Sequence, residues 1–547
     1  MSNQKLAFLS KFYLLILVII SLWGCAAMQR PTGGPRDLTP PKVVKATPEN
    51  MTRNFTAKQI QIEFDEFYKL TNQYQEISIS PAQEKLPEYD VSKKLLTIKF
   101  KDSLQKNTTY VINFGKAIAD VNENNVLKNF TYVFSTGPHI DSLSITGQVF
   151  NTSTQEREKE ATVFLFPISQ DSLMFGKKKP TIFTSTDSAG NFSLNNLRED
   201  TYAIYALKEQ AANKIYDNDA ELIAFLKKPI KVDKDTSGIK LNLFKQTPEK
   251  FRIVEKRFNQ DGKLSFLFNR PLNKPAIKLL SPTALDGQKI VEFTKTRDSA
   301  FVYMRNMDFD SLSVQILENG KALDTVPMLK QRKERFDRAT TFTFNINKNG
   351  MFKPNTDLII KGNLPIESFD KSYFTLTEDS VAENNFTLQK DTANLRSIVM
   401  KYRFRPGSKY ELTFNEGAVT NIYGDKNKKS AIKFQGDKIE NYSVLTLQVK
   451  VPEAGKSYVV EMLDDQKNLL NTNVITADSK LIYRNILTGK YFFRVIYDNN
   501  GNGVWDSGNV RRKTYPENIW LSDKEVTLRP NWDAEETLVV PKEVIVP

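Results

Sequence analysis

Short runs in which every second residue is apolar dominate this chain. Examples are IQIEFDEF, LLTIKF, TYVINF and FTYVFSTG, and Asn, Asp, Gly, Pro and Lys separate such runs. A period of two is that of a half-buried β-strand, and short strands at this spacing are typical of β-sandwiches. Long amphipathic helical stretches are nearly absent, and the 36 Phe and 20 Tyr are residue types that strands favour. The pattern predicts an all-β protein.

Two kinds of internal repeat divide the 547 residues, a length too great for one compact core. In the first repeat, YVINFGKAIADVNENNVLKNFTYVFSTG aligns with YELTFNEGAVTNIYGDKNKKSAIKFQG, so that Tyr110 lies opposite Tyr410 and Phe134 opposite Phe434. The opening strands IQIEFDEFYKL, LSFLFNRPLNK and LIIKGNLPIES also resemble one another. These matches predict three related modules, near residues 41–137, 247–343 and 346–437.

The second repeat lies between and after these modules. FSLNNLREDTY aligns with LIYRNILTGKY without a gap, with Asn196 opposite Asn485 and Tyr202 opposite Tyr491. This match predicts two further modules, near residues 140–246 and 438–547. We number the five modules 1 to 5 in chain order.

The N-terminus carries an export signal. Lys5 and Lys11 precede the apolar run FYLLILVIISLWG. This run is followed by Cys25, the single cysteine of the chain. A basic start and a short apolar run predict a secretory signal peptide over residues 1–24, because the run is too short for a comfortable membrane span. A signal peptide that merely contains a cysteine, or a marginal membrane anchor, is the alternative.

The end of that signal, LWGC, resembles the lipobox of bacterial lipoproteins. Leu22 occupies position minus three, Gly24 minus one, and Cys25 the lipidated position. The resemblance implies that Cys25 becomes the mature N-terminus. Its acyl chains then partner with the lipid bilayer, at about 0.8 kcal/mol per buried CH₂. The Pro- and Gly-rich residues 25–40 are predicted to be a tether.

A wider resemblance covers roughly residues 20–137. This tether, followed by IQIEFDEFYKL and ISISP, resembles Bacteroidota-type envelope lipoproteins with an SbsA-type bacterial Ig-like domain. TDSAGNFSLNNL in module 2 resembles carboxypeptidase-regulatory-like or prealbumin-like β-sandwiches. The resemblance implies secretion and lipidation, and with the repeats it predicts an elongated multi-domain string of Ig-like and prealbumin-like β-sandwiches. It carries over no catalytic residues.

The composition argues against catalysis. One Cys and one His exclude disulfide frameworks, Cys/His metal clusters and Cys–His dyads, and no nucleophile elbow or phosphate loop is present. The acidic cluster of Glu63, Asp65 and Glu66 could supply a pair of carboxylates for acid/base catalysis. However, Glu63 and Asp65 share the outer face of an alternating strand, where charge discourages edge-to-edge aggregation. The net charge of +13 is spread along the chain without a nucleic-acid-binding motif, so no nucleic-acid partner is expected.

The segment DNNGNGVWD, residues 498–506, has the spacing of a calcium loop. Side-chain oxygens at alternate positions, a glycine at position 6 and a carbonyl at position 7 would serve such a site. The predicted ligands are Asp498, Asn500, Asn502, Val504 and Asp506. Asn509 replaces the expected Glu at position 12, so any calcium affinity should be weak. Module 2 has EQAANKIYD at the matching place, with a poorer ligand set, which favours a structural loop whose Asp and Asn side chains bond backbone amides.

Three tryptophans, Trp505, Trp520 and Trp532, lie in module 5. Exposed Trp side chains can stack on sugar rings, whereas buried ones fill a sandwich core. They are therefore candidates for a glycan platform, with core packing as the alternative.

The sequence thus predicts a non-catalytic, lipid-anchored envelope protein with a structural or protein-binding role. A glycan- or nutrient-binding lipoprotein is the alternative, and an envelope hydrolase comes third. The expected partners are the bilayer, through Cys25, and an envelope protein or glycan; weak calcium is the one cofactor considered. The expected location is the outer membrane, facing the periplasm because no acidic cluster follows Cys25, with the cell surface as the alternative.

Overall fold

The computed structural model describes residues 37–174, 179–210, 213–218, 220–330 and 336–544. Cys25, the signal peptide and most of the tether lie outside the described residues. The chain divides into two compact units, Met1–Ile140 and Asp141–Pro547. Within the described ranges, no helix has the length and apolar character that crossing a membrane requires.

Module 1 is a β-sandwich of ten strands and one short helix. Its elements are β1 Val43–Thr47, β2 Gln59–Phe64, β3 Tyr68–Leu70, α1 Gln73–Glu76, β4 Ser78–Ser80, β5 Glu88–Ser92, β6 Leu95–Lys99, β7 Thr109–Asn113, β8 Ile118–Asp120, β9 Val126–Leu127 and β10 Thr131–Ser135. The sheets have the strand orders β1-β2-β6-β5, β10-β7-β4 and β3-β8-β9. The alternation in IQIEF is reproduced in β2, because Ile60, Ile62 and Phe64 are buried while Glu63 is exposed. Asp65 accepts a hydrogen bond from the amide of Lys42 at 2.7 Å, which gives this carboxylate a structural role.

Module 2 has eight strands. They are β11 Leu143–Asn151, β12 Thr162–Pro167, β13 Ile182–Ser185, β14 Asn191–Leu197, β15 Asp200–Lys208, β16 Leu222–Phe225, β17 Ile230–Val232 and β18 Thr236–Lys245, with a 3-10 helix at Ile168–Met174. The strand order is β13-β12-β15-β16-β18-β11-β14, with β17 beside β15. Strand β11 pairs in parallel with β18 and antiparallel with β14.

Module 5 repeats this arrangement. Its strands are β37 Tyr442–Lys450, β38 Ser457–Leu463, β39 Leu469–Ile475, β40 Ser479–Leu487, β41 Gly489–Asp498, β42 Ile519–Leu521, β43 Val526–Leu528 and β44 Ala534–Val539, after a 3-10 helix at Ile439–Asn441. Strand β37 pairs in parallel with β44 and antiparallel with β40, as β11 does with β18 and β14. The aligned Asn196 and Asn485 both adopt the left-handed conformation, with φ of 55° and 57°. The aligned Tyr202 and Tyr491 each donate a hydrogen bond to the carbonyl four residues earlier.

Modules 3 and 4 complete the second unit. Module 3 has β19 Ile253–Phe258, β20 Leu264–Phe268, β21 Pro275–Ser281, β22 Lys289–Phe293, β23 Ser299–Met304, β24 Ser311–Glu318 and β25 Lys321–Leu329, with a 3-10 helix at Thr283–Gln288. Module 4 has β26 Phe342–Phe344, β27 Met351–Phe352, β28 Leu358–Gly362, β29 Ile366–Phe369, β30 Phe374–Glu378, β31 Val381–Glu383, β32 Thr387–Lys390, β33 Ser397–Lys401, β34 Lys409–Phe414, β35 Val419–Asn421 and β36 Ser430–Gly436, with a 3-10 helix at Lys371–Tyr373. Strand β26 pairs with β28, so residues 342 and 343, which the repeats place in module 3, belong to a sheet of module 4.

Module 4 contacts both of its neighbours in the second unit. Modules 3 and 4 share a small apolar cluster of Tyr303, Leu364 and Ile422, flanked by an ion pair between Arg396 and Glu292 at 2.7 Å. Between modules 4 and 5, the side-chain amide of Asn485 donates to the carbonyl of Pro354 at 2.7 Å. The sheets and separate hydrophobic cores confirm the prediction of an all-β, multi-domain β-sandwich protein.

Candidate functional site at the contact between modules 2 and 5

The predicted calcium loop begins where β41 ends, at Asp498. One carboxylate oxygen, Oδ1, accepts the amides of Gly501 and Asn502 at 2.8 and 3.1 Å. The other, Oδ2, accepts the amide of Gly503 at 2.9 Å and the hydroxyl of Ser457 at 2.7 Å. Burial opposes ionisation of this side chain, but these hydrogen bonds outweigh it and hold the pKa of Asp498 below its usual value. The carboxylate therefore organises the backbone of the loop.

The other predicted ligands bond to one another and to the backbone. The side-chain amides of Asn500 and Asn502 both donate to Oδ2 of Asp506. The Oδ1 of Asn502 accepts the amide of Val504 at 2.9 Å, and the Oδ1 of Asn500 accepts that of Asn502 at 3.0 Å. The structure thus brings the predicted ligands into one loop, in which the side chains of Asp498, Asn500, Asn502 and Asp506 each accept at least one N–H donor. The described residues contain no group of three His, Cys, Asp or Glu side chains placed to hold a metal ion.

The described part of the matching loop of module 2, residues 209–210 and 213–217, has three of the same hydrogen bonds. Asn213 donates to Asp217 at 3.0 Å and accepts the amide of Ile215 at 2.8 Å, as Asn502 does with Asp506 and Val504. Glu209 accepts the amide of Lys214, five residues later, as Asp498 does with that of Gly503. These three hydrogen bonds are therefore shared by two copies with different side chains, as expected for a structural loop.

At each loop, a buried glutamate accepts hydrogen bonds from backbone amides. Glu517 accepts the amides of Asn499 and Asp506 at 2.7 and 3.0 Å, and Glu221 accepts those of Asp217 and Asn218 at 3.3 Å. Burial raises the pKa of both glutamates. Sequence reasoning missed them, because Glu517 follows its loop by 11 residues and Glu221 by only four, which hides their equivalence.

The two loops lie beside a hydrophobic cluster that modules 2 and 5 share. The aromatic residue before the last Asp of each loop, Tyr216 or Trp505, packs against this cluster, as does Tyr515. Its buried members are Phe164, Phe166, Phe183, Ala203, Tyr205, Leu207, Ile223, Phe225, Phe244 and Val510. Val510 comes from module 5 and is only 1% exposed. The rings of Phe225 and Tyr515 stack across the contact, with centroids 5.2 Å apart.

Polar groups fix the register of this contact. The amide of Val510 donates to the side chain of Gln246 at 2.9 Å, and the amide of Lys227 donates to the Tyr515 hydroxyl at 3.0 Å. The amide of Thr247 donates to Ser507 at 2.8 Å. Each of these bonds joins module 2 or the residue that follows it to module 5. The contact therefore combines a shared apolar core with specific hydrogen bonds.

A half-buried lysine, Lys513, lies at the contact. The Nζ of Lys513 bonds to the hydroxyl of Tyr205 and lies 3.8 Å from a carboxylate oxygen of Asp171. The same ammonium group lies 4.3 Å from the centroid of the Tyr205 ring. Burial lowers the pKa of Lys513 and raises that of Tyr205. Nothing in the local sequence around Lys513 signals this position, since its partners lie more than 300 residues away.

The three tryptophans of module 5 have three different surroundings. Trp505 packs at the shared cluster, and its indole N–H donates to the carbonyl of Glu517 at 2.9 Å. Trp520 packs against the core of module 5. Trp532 is 60% exposed, with the guanidinium of Arg529 lying 5.6 Å from its ring centroid. Two of the three therefore contribute to packing, and Trp532 is the one with a largely free face.

Glu221 provides a pH test of the loop on module 2. Its raised pKa means that ionisation costs the folded state more than the unfolded state, so this contribution to stability falls as the pH rises from about 4.3, the usual Glu pKa. We expect Glu221→Gln to remove that loss, while Glu199→Gln, at an exposed position, leaves it unchanged. Denaturant unfolding followed by hydrogen exchange of the β15 and β16 amides across this pH range measures the effect. An unaltered pH dependence in Glu221→Gln would contradict the assignment.

The fold and this contact define the class of this protein. It is a multi-domain β-sandwich protein in which modules distant in sequence pack against each other. Residues 37–136 match the profile of the bacterial Ig-like domain family. No curated protein matches the chain by sequence. The family match to residues 37–136 confirms the predicted Ig-like character of module 1.

Several solved structures show a low overall similarity. The major pilin subunit BcpA of Bacillus cereus is 9% identical, with 73% of this chain and 99% of that chain covered and a TM-score of 0.14. Domains 1–6 of the surface layer protein SbsC are 10% identical, with 89% and 67% covered and a TM-score of 0.13. An L,D-transpeptidase from Mycobacterium smegmatis is 10% identical, with 38% and 90% covered and a TM-score of 0.14. With scores this low, we draw no functional argument from these proteins.

Proposed function

We propose that this protein is a non-catalytic component of the bacterial cell envelope, anchored by lipid at Cys25, with a structural or protein-binding role. The observation that carries this proposal is the contact between modules 2 and 5. A buried apolar cluster with specific polar bonds is what a protein needs to hold its modules in a fixed arrangement. The bacterial Ig-like match of residues 37–136 and the lipobox-like LWGC support the same proposal.

The anchor is tested by Cys25→Ala. We expect the full-length variant to appear in the soluble fraction, because several acyl chains hold a protein in a bilayer far longer than weak surface contacts do. Met28→Ala, just beyond the lipobox, is the matched control and should remain in the membrane fraction. Metabolic labelling with palmitate should mark the control and not Cys25→Ala. Retention of Cys25→Ala after washing with alkaline carbonate would refute lipid anchoring.

The proposed location is the periplasmic face of the outer membrane. Protease added to intact cells should leave the protein whole and should cleave it once the outer membrane is permeabilised. Cleavage in intact cells would place it on the cell surface instead. Crosslinking in the native membrane, followed by mass spectrometry, tests the protein-binding role by identifying the neighbours.

Glycan binding is the second candidate function. It rests on Trp532, whose ring is largely exposed beside Arg529. A glycan array probed with the full chain and with Trp532→Ala tests it. If the full chain and Trp532→Ala bind the same glycans equally well, Trp532 is not the glycan-binding platform.

Weak calcium binding in the 498–506 loop remains a proposal from the spacing of its oxygens. Binding would require the side chains of Asn500 and Asn502 to turn their oxygens away from the backbone amides. If calcium binds, about 5 mM Ca²⁺ should raise the melting temperature of the protein and not of Asp506→Ala. An unmoved melting temperature would rule the site out on this scale.

A further inference from the structure

Module 4 has an open groove between its first and last strands, β26 and β36. The groove has a volume of about 860 Å³, which is within the range of ligand-binding clefts. Its apolar lining includes Phe342, Phe344, Phe414 and Ile432. Phe414 is 1% exposed and stacks on Phe342 with ring centroids 4.6 Å apart. The groove therefore has a firm apolar floor.

One wall of the groove is a free strand edge. On its outer side, β36 pairs with β27 only at Gln435 and Gly436, and the amide of Gln435 donates to the carbonyl of Gly350. Backbone groups of alternate residues point to the same side of a strand, so Ala431 and Lys433 face outward like Gln435. Their outward N–H and C=O groups have no hydrogen-bond partner in the described part of the chain. These groups are available to an added strand.

Module 1 closes the equivalent edge at the position that corresponds to Lys433. Its Val133, which the repeat aligns with Lys433, receives a hydrogen bond from the amide of Met51 at 2.7 Å and donates one to the side chain of Asn50 at 2.8 Å. Tyr132 donates its hydroxyl to the carbonyl of Pro48 at 2.7 Å, whereas Ile432 stands at this place in module 4. The edge is therefore closed at Val133 in module 1 and free at the aligned Lys433 in module 4.

Positive charge surrounds the opening. Four cationic side chains line the groove against two carboxylates. They are Arg338, Lys426, Lys428 and Lys429, against Asp337 and Asp425. The Nε of Arg338 is buried without a hydrogen-bond partner among the described residues. Lys428 and Lys429 are exposed. This balance favours an acidic occupant.

We propose that the groove of module 4 binds an extended segment of a partner protein in which acidic and apolar residues alternate. The segment adds to β36 as a strand through the free groups of Ala431 and Lys433. Its apolar side chains pack on Phe342 and Phe344, and its acidic ones face Lys428 and Lys429. The inference rests on the proposed protein-binding role and names the chemistry of the partner.

The test uses a synthetic nine-residue peptide of alternating Glu and Val and the full chain carrying Cys25→Ala. We expect the peptide to bind and to slow amide hydrogen exchange in β36. Ala431→Pro should weaken binding about tenfold or more, because proline removes an outward N–H that the module itself does not use. The double variant Lys428→Glu/Lys429→Glu should weaken it comparably. Lys401→Glu, an exposed charge on β33, should leave the affinity unchanged.

Other results would overturn the inference. A peptide of alternating Lys and Val that binds equally well would exclude charge selection. Binding that survives Ala431→Pro, or that leaves exchange in β36 unaltered, would exclude strand addition. Should Ala431→Pro fail to fold, the lysine variant and the exchange measurement still decide. If the chain forms dimers that the peptide does not dissociate, the occupant of the groove is a second copy of the chain. Failure of the peptide to bind would end this inference, while the membrane-release and crosslinking experiments test the proposed function separately.

Discussion

Val510→Asp is expected to separate modules 2 and 5. Val510 is 1% exposed among aromatic and aliphatic side chains of module 2, and a carboxylate placed there would be buried without a partner. Such a change costs about 3–5 kcal/mol. The separate core of each module does not include this residue, so both sandwiches should remain folded.

Hydrogen exchange measures this separation. The amides of β16 and of residues 507–517 should exchange faster in the variant, while those of β37 and β44 should keep their protection. Val504→Asp is the matched control, since Val504 lies six residues earlier, is 59% exposed, and should shift stability by less than about 0.5 kcal/mol. Equal effects of the two substitutions would contradict the buried contact.

Asp498→Ala should unfold the 498–506 loop and destabilise module 5. Three backbone amides and the Ser457 hydroxyl lose their acceptor, which corresponds to about 2–4 kcal/mol. The depressed pKa of Asp498 adds a pH signature. Its contribution is complete above about pH 3.9, the usual Asp pKa, and is lost as the pH falls through the lower folded pKa.

Chemical unfolding at several pH values would show this dependence. The difference in unfolding free energy between the native chain and Asp498→Ala should shrink in acid. Asp523→Ala, at an exposed position in the same module, should differ little from the native chain at any pH. A constant difference between Asp498→Ala and the native chain would mean that the carboxylate does not act in its ionised form.

The local pattern of the sequence was sufficient to predict the strands. Ile60, Ile62 and Phe64 are buried at every second position, as the alternation requires, and the φ angles of Asn196 and Asn485 agree as their alignment requires. The hydrogen bonds of the 498–506 loop were also anticipated, because the poorer copy in module 2 indicated a structural loop. Periodicity and repeats report which residues share a strand face or a turn.

The contact between modules 2 and 5 could not be predicted in this way. Val510 and Lys513 lie in a stretch without alternation, and their partners Tyr205 and Gln246 are about 260–310 residues away in sequence. A single sequence contains no signal for such a pairing. The groove of module 4 was not predicted, for another reason. Its free edge arises because the residues after Gly350 pair with β36 only at Gln435 and Gly436. An unpaired strand edge has no sequence motif.

The contact between modules 2 and 5 also affects how the second unit would respond to tension. The chain enters this unit at module 2 and leaves it at module 5, and these two modules are bound directly to each other. A pull between the ends of the unit therefore loads two paths in parallel, one through the direct contact and one through modules 3 and 4. Modules 3 and 4 bear the whole load only after the cluster around Val510 has separated. The separation of the ends then increases by the folded span of modules 3 and 4, which keep their own cores.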